Sequence, residues 1–453
     1  MKVTVGKSEL QGTVSVPASK SLTIRVLICA ALCRGDSLIE NPLVSEDTEA
    51  ALGVLRKLGI HVQQDGSTWQ VTGGTFHAPE GELHCGESAT TLRFITAICS
   101  LIPGTHRIVG GPSLTKRPVR TLVEALQKLG VNIEIERKTT PPVTVEGGLL
   151  EGGTTSLPGH ISSQFISALM LIAPFAQNEV SIKLTTPLSS RPYVLMTLWT
   201  LKQFGVHVQA QIDRFIVPRG SYKPTNLTIE GDWSSASYFL ALAAVSQGIT
   251  VENLNMASLQ GDRVILEYLR AMGVTARVKG TVVTISEKPL QAIHADLTDC
   301  IDLLPTMAVL AALANGKTEL TGIARARIKE SNRVAAVRQG LERLGIEVTE
   351  DRDRMTIVGI QTPKKAEGGY DDDDEEKPEE TPSAEIPPVV INSFNDHRIA
   401  MAFGVLGAAI GGETINEVAY GKFIIEGAEC VAKTFPDFWE SMKSVGADIT
   451  IDE

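Results

Sequence analysis

One hydrophobic pattern recurs along the chain. A leucine-rich amphipathic stretch ends in glycine, and alternating apolar and polar positions follow: LRKLGIHV, LQKLGVNI, LKQFGVHV, LRAMGVTA, LERLGIEV and MKSVGADI. A glycine just past the last apolar helical position is the usual left-handed cap, and the alternation after it predicts a strand. The glycines fall at 59, 130, 205, 273, 345 and 446. Only the last interval is long, by about the length of a polar tract that interrupts it. The chain therefore contains six copies of a unit of about 70 residues.

A second series runs in phase with the first. SKSLTIRVLICAAL, ESATTLRFITAICSL, SSQFISALMLIAPF, DWSSASYFLALAAV, DLLPTMAVLAAL and NDHRIAMAFGVLGA each begin with small polar residues and continue apolar nearly all round. Such helices have to be buried, unlike the amphipathic ones before each glycine. Six all-apolar helices hide best as two clusters of three, so two domains are expected. The chain is expected to cross between them near Ala18 and return near Asp232, giving domains of 19–230 and of 1–18 with 231–453. The buried helices start on Ser, Thr, Asp and Lys, and free N–H groups at helix starts favour anions. Ser234 and Ser235, after Asp232, read equally well as a simple N-cap.

Composition changes this picture little. With 453 residues, 43% hydrophobic and 21% charged, the chain is an ordinary globular sequence. The N-terminal MKVTVGKSELQGTVSVP alternates like a strand and lacks the apolar core of a secretion signal. The longest apolar run, MAFGVLGAAIGG, is too short to span a bilayer. A cytoplasmic protein with no membrane partner is expected. Six cysteines (29, 33, 85, 99, 300 and 430) form no CxxC pair, so no disulfide framework or structural metal is expected. The net charge of −11 argues against nucleic acid as a partner. Residues 364–385, KKAEGGYDDDDEEKPEETPSAE, supply ten of the acids and three lysines. With almost nothing to bury, this tract is expected to be a disordered surface insertion at about 363–388.

Against that acidic background, RIKESNR (327–333) crowds Arg327, Lys329 and Arg333 around Glu330. If the segment opens a helix, Lys329 and Arg333 share one face. A solvated, ion-paired surface is the bland reading of these seven residues. The alternative is an anion site with one proton carrier.

The order and spacing of nine motifs decide between them. VPASKSLTIR, GESATTLR, TKRPV, ISSQF, SSRPY, EGDWSSASYFLA, RIKESNR, NDHR and AKTFPDF together resemble the 5-enolpyruvylshikimate-3-phosphate synthase family over nearly the whole chain. The resemblance implies an α/β fold, the enolpyruvyltransferase inside-out α/β barrel, with two domains of three βαβαββ units each. It implies transfer of the enolpyruvyl group of phosphoenolpyruvate to the 5-hydroxyl of shikimate 3-phosphate, with release of phosphate and no cofactor or metal. Both substrates are small polyanions, which accounts for the concentrated lysines and arginines. A monomer that closes its two domains on its substrates is expected.

Carried over motif by motif, Lys20, Ser21, Arg25, Ser162, Ser163, Gln164, Ser190, Tyr193 and Lys329 are implied to bind shikimate 3-phosphate, together with Asp302. Lys20, Ala89, Arg117, Gln164, Arg333, His397, Arg398 and Lys433 are implied to hold phosphoenolpyruvate. Asp302 matches the base for the 5-hydroxyl, Glu330 the acid for the methylene carbon, and Lys20 competes for part of that role. Arg93 reads as structural or as a second-line anion contact. Five departures from the family pattern stand out: PASKS for PGSKS, Thr23-Ile24 for the familiar Ser-Asn before the arginine, Arg325 where Asn is common, Asn332 for a common Asp, and GESAT for GNAGT. The last puts Ala89 where relatives have glycine, so its methyl is expected to exclude glyphosate, which is longer than phosphoenolpyruvate. Glu87 in the same loop adds a negative charge near an anion site with no evident benefit. The sister enzyme acting on UDP-N-acetylglucosamine fits less well, since its Lys-Asn is Lys20-Ser21 here and its loop cysteine is missing. An inactive anion-binding homologue and an RNA 3′-phosphate cyclase remain as alternatives from other classes.

Overall fold

The computed structural model describes residues 1–246, 248–286, 288–360, 386–415 and 418–452. The acidic tract expected to be a disordered insertion lies almost entirely outside the described residues.

The six capping glycines all take positive φ, between 72° and 96°. Each turns an amphipathic outer helix into the strand predicted after it, so the period seen in the sequence is a period of chain reversals. Six four-stranded sheets result, and each has the same order: one parallel edge strand, a central strand, then two antiparallel strands. Leu83–His84, Gly104–Val109, Val143–Gly147 and Asn132–Ile135 form one of them. With their two helices these make a βαβαββ unit.

The buried helices are Lys20–Leu32, Ala89–Cys99, Ser163–Ile172, Trp233–Val245, Leu304–Ala312 and His397–Ile410. Nearly every side chain on each is out of contact with solvent, as their all-round apolar sequences require. The first three centre one hydrophobic core, running from Ala18 to Ile229. The last three centre another, built from Val3–Val16 and from Trp233 onward. At about 1.5–3 kcal/mol for each large apolar side chain buried, these cores dominate the folding energy.

Strand exchange closes each ring of three sheets. The strand before the Lys20 helix, Gly12–Ser15, pairs in parallel with Ile249–Glu252 of the opposite half. The strand before the Trp233 helix, Asn226–Thr228, pairs in parallel with Gly35–Glu40 of the first half. The two crossings lie side by side at the Ala18–Gly231 bridge, where Ser19 N–H donates to Glu230 and Asp232 N–H to Pro17. Lys2–Gly6 then sits between Phe423–Glu426 and Asp448–Asp452, so the amino-terminal strand completes the last unit.

All six cysteines are buried thiols. Cys29 lies within the Lys20 helix, and Cys33, just past its end at Leu32, is its extended C-cap. Among the described residues no helix is long and apolar enough to cross a membrane, and no metal-ligating cluster occurs.

Candidate active site

The starts of the buried helices converge where the two halves face each other. Lys20, Ala89 and Ser163 are the first residues of the three first-half helices, and all three line one cleft of about 850 Å³ including its open mouth. His397 and Arg398 open the last helix and line the opposite wall with Asp302, which precedes the Leu304 helix. Unsatisfied N–H groups therefore face the cleft from both sides. Seven lysines and arginines line it against three carboxylates, an excess of positive charge in a chain of net charge −11. That concentration suits a polyanion.

Of the residues singled out from the sequence, the cleft brings together Lys20, Ser21, Ala89, Arg117, Ser162, Ser163, Gln164, Ser190, Tyr193, Asp302, Lys329, Glu330, Arg333, His397 and Arg398. Arg25 and Lys433 stand outside its lining. The Arg25 guanidinium is buried, donating to Thr197 Oγ1 at 2.8 Å and to the carbonyls of Ser21 and Tyr193 at 2.8 and 3.3 Å. It braces two cleft residues from behind. Lys433 is buried as well and donates to the Asn395 carbonyl at 2.6 Å.

The second-half wall is a network of charges. Arg333 donates to Asp302 (2.6 Å), Glu330 (2.6 Å) and Asp396 (2.8 and 3.2 Å). Lys329 reaches Asp302 Oδ1 at 3.2 Å, Arg398 lies 3.6 Å from Oδ2, and the Tyr193 hydroxyl donates to Oδ2 at 2.9 Å. From the first half, Arg117 reaches Glu330 at 3.2 Å. Burial alone raises a carboxyl pKa. Here Arg398, Lys329 and Arg333 outweigh it and hold Asp302 well below the usual carboxylate range. For Glu330, Arg333 and Arg117 likewise overcome burial and hold the carboxyl well below its ordinary value. Burial pulls Lys329 down to about 8, partly opposed by Asp302.

The condition under which Lys329 and Arg333 would share a helical face, a helix opening within RIKESNR ahead of both, is not met. Lys329 is extended, at φ −87° and ψ −151°, and the helix begins only at Arg333, with Asn332 Oδ1 accepting from Ala335 N–H as its N-cap. Asn competes for the backbone and starts the helix after itself. Lys329 and Arg333 therefore meet at Asp302 through the tertiary fold rather than through helical spacing.

The first-half wall sets hydroxyls and Gln164 beside Lys20, Arg93 and Arg117. Ser162 caps its helix by accepting from Gln164 N–H, and Gln164 Nε2 donates to Thr90 at 2.9 Å. Arg93 lines the cleft and donates to Ser162 and Gln164, which gives it a definite place between the two roles open for it. Ser190 takes left-handed geometry, at φ 55°, and is held by Arg325 Nη1 at 2.7 Å. Arg325 also donates to the Thr298 carbonyl, so it ties Ser190 of the first half to the second through hydrogen bonds. His397 is buried, and among the described residues neither ring nitrogen makes a hydrogen bond, although Nδ1 lies 3.8 Å from Asp396 Oδ1. Burial and the neighbouring Arg398 push its pKa well below 6.5, so the ring is neutral.

Sequence reasoning missed Asp47, Asp396 and Asp262. Asp47 accepts from Lys20 at 2.8 Å and lines the cleft. In SEDTEAAL it reads only as a helix-start acid, which it also is. Asp396, in the quoted NDHR, grips Arg333 and caps its own helix by accepting from Arg398 N–H. Asp262 lies with Ser234 in a recess behind Lys20 and Arg398. Asp232, not either serine, caps the Trp233 helix, and Ser234 donates to Asp262 instead.

The chain is similar to known proteins over essentially its whole length. Residues 5–442 match the family model for EPSP synthase (3-phosphoshikimate 1-carboxyvinyltransferase). A curated 3-phosphoshikimate 1-carboxyvinyltransferase of Dehalococcoides mccartyi is 44% identical, with 100% of each chain covered. One from Methanocaldococcus jannaschii is 37% identical over 98% of this chain and 97% of its own. Among solved structures, EPSP synthase from Acinetobacter baumannii superposes with a TM-score of 0.76 at 27% identity, covering 99% of this chain and 100% of its own. The enolpyruvyl transferase NikO from Streptomyces tendae shares the fold, with a TM-score of 0.73 at 18% identity and coverage of 99% and 98%.

Proposed function

The chain belongs to the EPSP synthase family, the 3-phosphoshikimate 1-carboxyvinyltransferases, and we propose how its cleft carries out that family's reaction. The enzyme is a transferase of the shikimate pathway. It moves the enolpyruvyl group of phosphoenolpyruvate to the 5-hydroxyl of shikimate 3-phosphate and releases phosphate.

Addition of the alcohol to the enol carbon needs a base at the hydroxyl and an acid at the methylene; elimination of phosphate reverses the proton movements. Asp302 is the base and Glu330 the acid, with Lys20 available for part of the transfer. The observation that carries this assignment is that Asp302 and Glu330 are bridged by one guanidinium, that of Arg333, in a cleft otherwise rich in cations. Alone, the protein's cations keep both carboxyls ionised. Two incoming polyanions compete for those cations, and the carboxyls rise toward the range where they exchange protons. Ser162, Ser163, Ser21, Gln164, Ser190, Tyr193 and Lys329 hold shikimate 3-phosphate, and Arg117, Arg333, His397 and Arg398 hold phosphoenolpyruvate. Arg25 serves the first substrate by fixing Ser21 and Tyr193, and Lys433 the second by fixing the Asn395 turn before His397 and Arg398.

The two cores are domains, 19–230 and 1–18 with 231–453, and they close on their substrates. Arg117–Glu330, Tyr193–Asp302 and Arg325–Ser190 already span the cleft and support this reading. Unchanged small-angle scattering on adding both substrates would count against closure. Ala89 opens its helix and faces the cleft, which supports exclusion of glyphosate by its methyl; micromolar inhibition would sink that idea. The protein works as a cytoplasmic monomer. Phosphate release from phosphoenolpyruvate, with and without shikimate 3-phosphate, tests the assignment. Release must require both substrates and collapse in Asp302→Ala.

A further inference from the structure

Glu87 has no evident use in the sequence, where it places a negative charge in the loop before Ala89. In the fold its carboxylate does not line the cleft. It turns the other way and accepts from Ser113 N–H at 3.3 Å, from Leu114 N–H at 3.1 Å and from the Ser113 hydroxyl. These donors open the short turn Leu114–Lys116, and Arg117 is the residue that ends it, its N–H donating to Leu114 at 3.0 Å. Arg117 then enters the cleft and meets Glu330. The two loops are joined a second time by Gly111 N–H donating to the Gly86 carbonyl at 2.7 Å. Gly111 leaves the space the carboxylate occupies, since a Cβ there would collide with Glu87.

We infer that Glu87 is a positioning residue: its carboxylate pins the 111–117 loop to the start of the Ala89 helix and so fixes Arg117 relative to Ala89. The charge is spent on three donors, a strong way to hold a turn. The wall it braces is the one assigned above to phosphoenolpyruvate, so the inference rests on that reading of Arg117. Shikimate 3-phosphate, held by Ser162, Ser163 and Lys329, is not served by either loop.

Steady-state kinetics on Glu87→Ala, Ser113→Ala and Arg117→Ala separate the possibilities. In Glu87→Ala the KM for phosphoenolpyruvate is expected to rise about tenfold, while kcat and the KM for shikimate 3-phosphate stay within about twofold, since misplacing one binding group by a fraction of an ångström has that order of effect. Ser113→Ala removes one donor and leaves two, so the same KM rises about twofold there, even if Glu87→Ala fails to fold. Glu87→Gln, which keeps an acceptor, is expected to fall between wild type and Glu87→Ala. A fall in the phosphoenolpyruvate KM would mean that Glu87 acts as a repelling charge, and equal changes for both substrates would mean that it only stabilises the fold. Either overturns the inference. An unchanged phosphoenolpyruvate KM in Arg117→Ala overturns the reading beneath it as well; a raised one beside an unaffected Glu87→Ala overturns the positioning role alone.

Discussion

The two walls of the cleft are built from the same repeat and are chemically unlike. Both present the starts of buried helices. The first-half wall carries serines, Gln164, Arg93, Arg117 and a single carboxylate, Asp47, that is already paired with Lys20. The second-half wall carries Asp302 and Glu330, gripped by Arg333, Lys329 and Arg398. Hydroxyls and helix ends bind anions without titrating near neutrality, so they hold a substrate in one way at any working pH. Carboxylates among cations change their proton affinity when the surrounding charge changes. The difference puts the two carboxylates proposed for proton transfer on one wall, while residues proposed to hold the substrates come from both.

The sharpest way to break that division is to neutralise one residue on each wall. Glu330→Gln keeps the shape and removes the proton, and kcat is expected to fall by about 10²–10⁴, the usual contribution of general acid–base catalysis. Next in size, Ser163→Ala on the opposite wall is expected to raise the KM for shikimate 3-phosphate about tenfold, the worth of one hydrogen bond to a charged group, with kcat nearly unchanged. Both follow from steady-state rates of phosphate release. A kcat loss in Ser163→Ala as large as that in Glu330→Gln would erase the contrast between the walls.

A smaller effect comes from pH. Lys329 sits at about 8 because burial disfavours its charge. As pH rises through that value the lysine loses its proton and its hold on an anion. The kcat/KM for shikimate 3-phosphate, which reports the free enzyme, is therefore expected to fall on the alkaline side near pH 8. Phosphate monoesters are already dianions there, with a second pKa of about 6, so the limb belongs to the protein. Lys329→Arg is expected to move it upward and out of the measured range; an unmoved limb would assign it to another group. No acid limb from Asp302 or Glu330 is expected near neutrality, since their cations hold both far lower.

How much of this was legible in the sequence depended on how local each cause is. Capping glycines and all-apolar helices act within a few residues, and the sixfold period survived into six matching sheets. The crossings near Ala18 and Asp232 followed from the grouping of the helices, but the partners of Gly12–Ser15 and Asn226–Thr228 were beyond local reading, because nothing within a strand names its partner. RIKESNR left its helix open for a related reason: its spacing suits one, but Asn332 starts the helix later and leaves Lys329 extended. Asp47 and Asp396 were overlooked because each also serves as a helix-start acid, and that ordinary role fully accounts for the residue type in the sequence. Glu87 was visible as an oddity, and only the distant Ser113 and Leu114 give it a purpose.

The smallest expected effect concerns stability, and it asks whether the recess behind the two walls belongs to the charged one. Asp262 is buried with one oxygen unpartnered, beside Ser234 and behind Arg398. Burial, with Asp302 adding to it, pushes its carboxyl up to about 7, against a cost partly relieved by Arg398. A carboxyl whose pKa is raised on folding binds more protons in the native state between its unfolded and folded values. Its penalty is therefore absent below about pH 4, grows as pH rises, and is complete above about 7. Asp262→Asn mimics the protonated form and keeps an acceptor for Ser234. Its Tm is expected to exceed wild type by a few degrees at pH 8, about 2–4 °C for each kcal/mol recovered, and to match it at pH 4. Equal gains at both pH values would mean that the side chain matters through shape alone. A loss at pH 8 would mean that Arg398 needs the Asp262 charge, which would place the recess within the charged wall and make Asp262 a third member of the Asp302–Glu330 system.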